Sequence, residues 1–141
     1  MHWTRIGVGY LTAVNLALGA WATVGPKSYF EDFPGGGRSW VAGDGPYNEH
    51  LMRDYGALNL ALGVLGICTL VWSTRQLLVS FGLVQITYAI PHVAYHLAHL
   101  DRLGSDGDQV AAVGGLVAAA LIGAALLRPS GAGTEPVSAP R

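Results

Sequence analysis

Four apolar runs, at roughly 4–24, 50–72, 76–100 and 109–127, constrain this chain more than any other feature. Each is close to the ~20 residues that a helix needs to cross the hydrocarbon of a bilayer. A length of 141 residues is one domain's worth. The expected fold is therefore all-α: a four-transmembrane-helix bundle over residues 1–128, followed by a disordered tail at 129–141 rich in Pro, Gly, Ser and Ala. Only Ser73-Thr74-Arg75 separates the second run from the third, which predicts a tight antiparallel hairpin. The last run is rich in Gly and Ala, small residues that let membrane helices approach closely. The connection from Gly25 to Asn48 is long, carries Tyr29, Phe30, Phe33 and Trp40 around Gly35-Gly36-Gly37, and is expected to cap the outer end of the bundle.

Composition agrees. Hydrophobic residues make up 51% and charged residues 12%, about half the usual charged share of a soluble domain. A net charge of −1 argues against a nucleic-acid partner, which would need a basic patch. The single cysteine, Cys68, lies in an apolar run and reads as a small hydrophobe. Four spans put both termini on one side with Arg5, Arg75, Arg128 and Arg141, against Lys27, Arg38, Arg53 and Arg102 on the other. The totals balance, but Arg5, Arg75 and Arg128 sit directly at span ends, so the expected location is a cell membrane, multi-pass, with both termini cytoplasmic. The first run, ending in Ala20-Trp21-Ala22, also has the outline of a cleavable signal peptide; it is read here as a retained span.

The third run closes on P-H-V-A-Y-H-L-A-H-L-D, Pro91 to Asp101. On a helix, His92, His96 and His99 fall within about 60° of one another. Tyr88 and Gln85 continue the same stripe inward, and Tyr95 lies beside it. Pro91 frees the carbonyl of Thr87, which favours a kink just below His92. The outer end of the second run, N-E-H-L-M-R-D-Y-G, adds Glu49, His50, Arg53 and Asp54. Reflecting the hairpin about Thr74 sets Glu49 and His50 level with His99, Arg53 with Tyr95 and His96, and Gly56 with His92. Ionisable groups inside a span are costly, and several converging at one depth favour a site. The plainer reading is a structural knot, in which Glu49–Arg53 and His50–Asp54 are ordinary i,i+4 pairs.

One transition metal ion, zinc, iron or copper, would suit imidazole with carboxylate. His92 with His96, or His96 with His99, would give two ligands, and Glu49, His50 or Asp54 a third. A haem held by His50 and His96 or His99 is the geometric alternative. The glycine clusters lack the lysine and strand context of phosphate loops.

The second run's R-D-Y-G-A-L-N-L-A-L-G, Arg53 to Gly63, after Asn48-Glu49, resembles the second-helix signature of the DoxX-like superfamily of small four-helix membrane proteins. The likeness extends to uncharacterised actinobacterial-type members with an F-P-G loop and a P-H-x-x-Y-H-x-x-H third helix. It covers about the first 100 residues and implies a four-span helical bundle, assigning no activity. Two functions are then expected in order. The first is a binding or accessory membrane protein whose outer His/Glu/Arg/Asp pocket takes a metal, lipid headgroup or partner, with membrane lipid, another membrane protein or a second copy of the chain as partners. The second is a membrane enzyme with a histidine–carboxylate metal centre acting on a lipid or quinone-like substrate.

Overall fold

The computed structural model describes residues 2–128; the expected tail, 129–141, lies outside the described residues. The elements are α1 (His2–Val24), α2 (Pro26–Asp32), a two-stranded antiparallel ribbon of β1 (Pro34–Gly35) and β2 (Arg38–Ser39), α3 (Glu49–Trp72), α4 (Arg75–Ala98) and α5 (Asp106–Leu126). Short 3-10 turns occupy Ala42–Asp44 and Leu100–Arg102. Among the described residues, α1, α3, α4 and α5 are long and apolar enough to cross a membrane, as expected of a multi-pass membrane protein.

Side-chain caps set the helix starts, because the first backbone N–H groups of a helix lack internal acceptors. Asn48 accepts from the Leu51 N–H at 3.1 Å, and Thr74 from the Leu77 N–H at 3.3 Å. Ser105 and Asp108 form a reciprocal capping box at α5. Ser73, at φ 48°, turns the chain between α3 and α4. Pro91 lies inside α4, which continues to Ala98.

The bundle is built from two close pairs. α1 lies along α3, and α4 along α5, whereas α3–α4 and α1–α5 meet more sparsely. Glycine sets this division. A Cβ on Gly19 would stand 2.7 Å from the Leu60 backbone nitrogen, and one on Gly82 2.6 Å from the Gly123 carbonyl oxygen. Both backbones are closer than any larger residue allows, the small-residue packing of membrane helices. Each pair is also fastened at the terminal end by an arginine. Arg5 of α1 donates to the Leu70 carbonyl (3.3 Å) and the Ser73 hydroxyl (3.2 Å) at the end of α3. Arg75 of α4 donates to the carbonyls of Leu126 (2.6 Å) and Leu127 (2.5 Å) at the end of α5. A cation at a helix C-terminus meets unpaired carbonyls and the negative end of the dipole. Val8, Leu11, Phe81 and Leu126 form the buried core towards this end.

The hairpin between α3 and α4 is present, but the facing inferred from it is not. Gly56 packs against Thr23 and Gly19 of α1 rather than against His92. Arg53 reaches Glu49 and the Thr23 carbonyl, again on the α1 side. Reflection about Thr74 constrains depth alone; the glycine face of α3 decides its direction, and that face turns to α1.

Candidate functional site

Where the two pairs meet, away from the termini, they leave a cavity of about 360 Å³. Tyr10, Leu11, Val14, Asn15 and Leu18 line it from α1, and Met52, Tyr55 and Asn59 from α3. Gln85, Tyr88, His92 and His96 come from α4, and Ala111, Ala112, Gly115, Leu116 and Ala119 from α5. The segment between α1 and α3 adds Tyr29, Phe33, Trp40, Val41 and Asp44.

The polar stripe of α4 is thus the stripe expected, as far as His96. Its histidines meet directly, with Nε2 of His92 and His96 3.1 Å apart and the rings stacked at 4.8 Å. One ring donates and the other accepts. Tyr88 stands edge-on to His92 at 5.3 Å. His99 departs from the stripe: α4 ends at Ala98, and His99 turns back so that its Nδ1 lies 2.9 Å from the Tyr95 carbonyl and its ring stacks on Tyr95.

Three tyrosine hydroxyls form the centre of the site. Tyr29 of α2 lies 3.1 Å and Tyr88 of α4 3.4 Å from the Tyr55 hydroxyl of α3. Tyr29 is 3% exposed, and burial holds its hydroxyl well above the ordinary phenolic range, so it keeps its proton. An aromatic set fixes α2 in place: Tyr29 stacks on Phe33 at 4.9 Å and meets Trp21 edge-on at 5.5 Å, and Phe33 meets Trp40 at 5.6 Å. Deeper still are three carboxamides. Asn15 and Asn59 donate to the carbonyls of Leu11 (2.8 Å) and Tyr55 (2.9 Å), one turn back on their own helices. Gln85 is 2% exposed, and its Nε2 has no hydrogen-bond partner among the described residues.

The connecting segment is tied to the rest at two points. Trp40 Nε1 donates to Asp108 at 2.9 Å, with Arg38 3.4 Å from the same carboxylate. Asp44 accepts from the Tyr95 hydroxyl at 3.1 Å and pairs with Arg102 at 3.4 Å.

The second helix's charged group stands apart from the cavity. Glu49–Arg53 (2.8 Å) and His50–Asp54 (3.3 Å) are exposed i,i+4 pairs on the surface of α3, and none of the four lines the cavity. The metal reading loses its third ligand by this. His92 and His96 supply two nitrogens, zinc sites take three or four protein ligands, and among the described residues no group of three His, Cys, Asp or Glu gathers. Residues that the sequence reading passed over include Asn15, Tyr55, Asn59, Asp44 and Asp108. Asn15 and Asn59 carried a signal, each being an amide within an apolar run. Asp44 and Asp108 carried none, because loop contacts depend on the tertiary path.

Comparison of the chain with protein families, with curated proteins and with solved structures gives no match.

Proposed function

We propose that this protein is an integral membrane binding protein that holds one small molecule in the cavity between its helix pairs. The segment from Gly25 to Asn48 is its cap, the capped end faces outward, and both termini lie in the cytoplasm. One observation carries the reading: hydroxyl, amide and imidazole groups from α1, α2, α3 and α4 converge on one 360 Å³ space. Polar groups within a span are costly unless used, and a concave, mostly apolar space with a few convergent polar groups is how small molecules are held. Arg5 and Arg75 at the terminal span ends support the orientation.

The test uses dansylamide, which accepts energy from a nearby tryptophan; Trp40 lines the cavity. Purified protein in nanodiscs should give saturable, one-to-one sensitised emission. Ala112→Trp, at a cavity-lining alanine 6% exposed, should abolish it. Ala118→Trp, on the outer face of the same helix, should not. Emission that never saturates, or that survives Ala112→Trp in a folded protein, refutes the reading.

A further inference from the structure

The unspent hydrogen-bond donors of the cavity define the chemistry of its occupant. Three tyrosine hydroxyls share two O···O contacts. Each contact consumes one proton whichever way it points, so one proton of the triad is always left to donate. Tyr55 stands between the other two. Gln85 Nε2, on a side chain 98% buried by its 2% exposure, adds a donor with no partner among the described residues. A buried donor left unmatched costs its full desolvation, so a ligand that accepts hydrogen bonds here is favoured over one that does not.

Charge narrows the class. Among the described residues no lysine or arginine lines the cavity, which leaves a carboxylate or phosphate without a counter-ion. Asp44 is the one carboxylate in the lining among the described residues, and Arg102 and the Tyr95 hydroxyl already engage it. A cation would find little left to pair with. The walls supply the remaining requirement. At the sparse α1–α5 seam the lining residues Tyr10 (54% exposed), Ala111 and Gly115 also reach the outer surface of the bundle. A Cβ on Gly115 would meet nothing within 4 Å. That surface lies within the membrane-spanning length of α1 and α5, so the cavity borders on lipid.

We infer that the cavity selects an uncharged, lipid-soluble molecule bearing a carbonyl oxygen, which accepts from Gln85 and from the tyrosine triad. This rests on the binding reading above and specifies the ligand of the same site. Four naphthalenes of nearly one shape separate the alternatives when they compete with dansylamide in neutral phosphatidylcholine nanodiscs, with concentrations referred to the lipid phase. They are 1-acetonaphthone, 1-isopropenylnaphthalene, 1-naphthoate and (1-naphthylmethyl)trimethylammonium. The ketone should compete at about tenfold lower concentration than the alkene, the size of one net hydrogen bond. In Gln85→Leu the ratio should fall to about threefold, whereas Tyr55→Phe, which frees the Tyr29 and Tyr88 hydroxyls to donate, should not lower it. Equal affinities of ketone and alkene for the wild type overturn the inference while leaving the binding reading in place. Tighter binding of the anion or the cation overturns it too, as does a ketone preference undiminished in Gln85→Leu. Failure of every probe, dansylamide included, removes the binding reading itself. Should Gln85→Leu not fold, the wild-type comparison and Gln85→Met decide.

Discussion

Replacing Gly82 by alanine tests the pairwise construction of the bundle where a helix backbone, which cannot rotate aside, stands closest to the added Cβ. The added Cβ would lie 2.6 Å from the Gly123 carbonyl oxygen, with Leu126 Cβ and Leu127 Cδ2 each at 3.2 Å. Ordinary contact begins at 3.4 Å, so the shortfall is 3.4 − 2.6 = 0.8 Å. The obstructing atom belongs to a helix backbone and cannot rotate aside as a side chain would; α5 must move. A gap of 0.5–1 Å opened between packed surfaces forfeits roughly a quarter to a half of each dispersion contact across it. Forcing a methyl into a filled interface costs about 1–3 kcal/mol, and that is the loss expected for Gly82→Ala. Gly114→Ala is the control, since a Cβ there meets nothing within 4 Å. Reversible unfolding in dodecylmaltoside titrated with dodecyl sulfate, followed by far-ultraviolet circular dichroism, gives the difference. The double variant Gly82→Ala/Gly123→Ala should cost less than the sum of the singles, because one separation of the helices accommodates both methyl groups. If Gly82→Ala unfolds within about 0.5 kcal/mol of Gly114→Ala, the scatter of an ordinary surface change, the close approach does not hold the pair together.

The arginine fastening should be equally open to measurement: Arg75→Gln removes the guanidinium from the Leu126 and Leu127 carbonyls and should cost about 1.5–3 kcal/mol in the same assay, the range for hydrogen bonds to a charged group. A neutral result would show that water or lipid headgroups satisfy those carbonyls as well. For orientation, cysteine introduced at Ser39 should react with a membrane-impermeant maleimide on intact cells and cysteine at Ser138 only after lysis; the reverse pattern inverts the topology. The contact of His92 with His96 should tolerate glutamine at either position with a loss under about 1.5 kcal/mol, one net hydrogen bond. Stoichiometric zinc, iron or copper in the purified protein, lost in His96→Ala, would instead restore the metal reading.

The four long helices were legible because each run is long and apolar enough to cross a membrane, and α1, α3, α4 and α5 begin and end within a few residues of these runs. The stripe Gln85, Tyr88, His92, His96 was legible for the same reason that any helical face is: its spacing of three, four and four fixes a direction. His99 broke that rule because α4 stops at Ala98, a boundary governed by the turn that follows rather than by periodicity. Glu49, His50, Arg53 and Asp54 misled for a different reason. Their charge suggested a site, whereas their pairing at i,i+4 already satisfied them at the surface. What the sequence could not disclose was which helices pair. Connectivity favours α3 with α4, but the backbone approaches at Gly19–Leu60 and Gly82–Gly123 override it.

That override is also what makes room for a ligand. Two helices drawn together by glycine bury small surfaces against each other and leave their larger side chains to the flanks. In this chain the flanks of both pairs face one seam. Near the termini the seam is closed by Phe81, Val8, Leu11 and Leu126, all 5% exposed or less. Towards the other end the facing residues are Asn15, Asn59, Tyr55, Tyr88 and Gln85, with alanine and glycine opposite them on α5. Polar side chains cannot interdigitate as an apolar core does, because each must keep its atoms near a partner. Asn15 and Asn59 meet that demand by bending back to their own helices, and the tyrosines by joining hydroxyls, which draws all of them towards the walls. The small residues of α5 do not fill the space so vacated, and the cavity follows from the same sequence choices that build the pairs. Substituting leucine for both Asn15 and Asn59 should therefore close the cavity and raise stability together, whereas leucine at Gln85 alone should relieve one unpartnered donor and leave the space open to dansylamide. Loss of dansylamide binding in Gln85→Leu without loss of fold would contradict this account, since it would make the amide, and not the spacing of the helix pairs, the origin of the site.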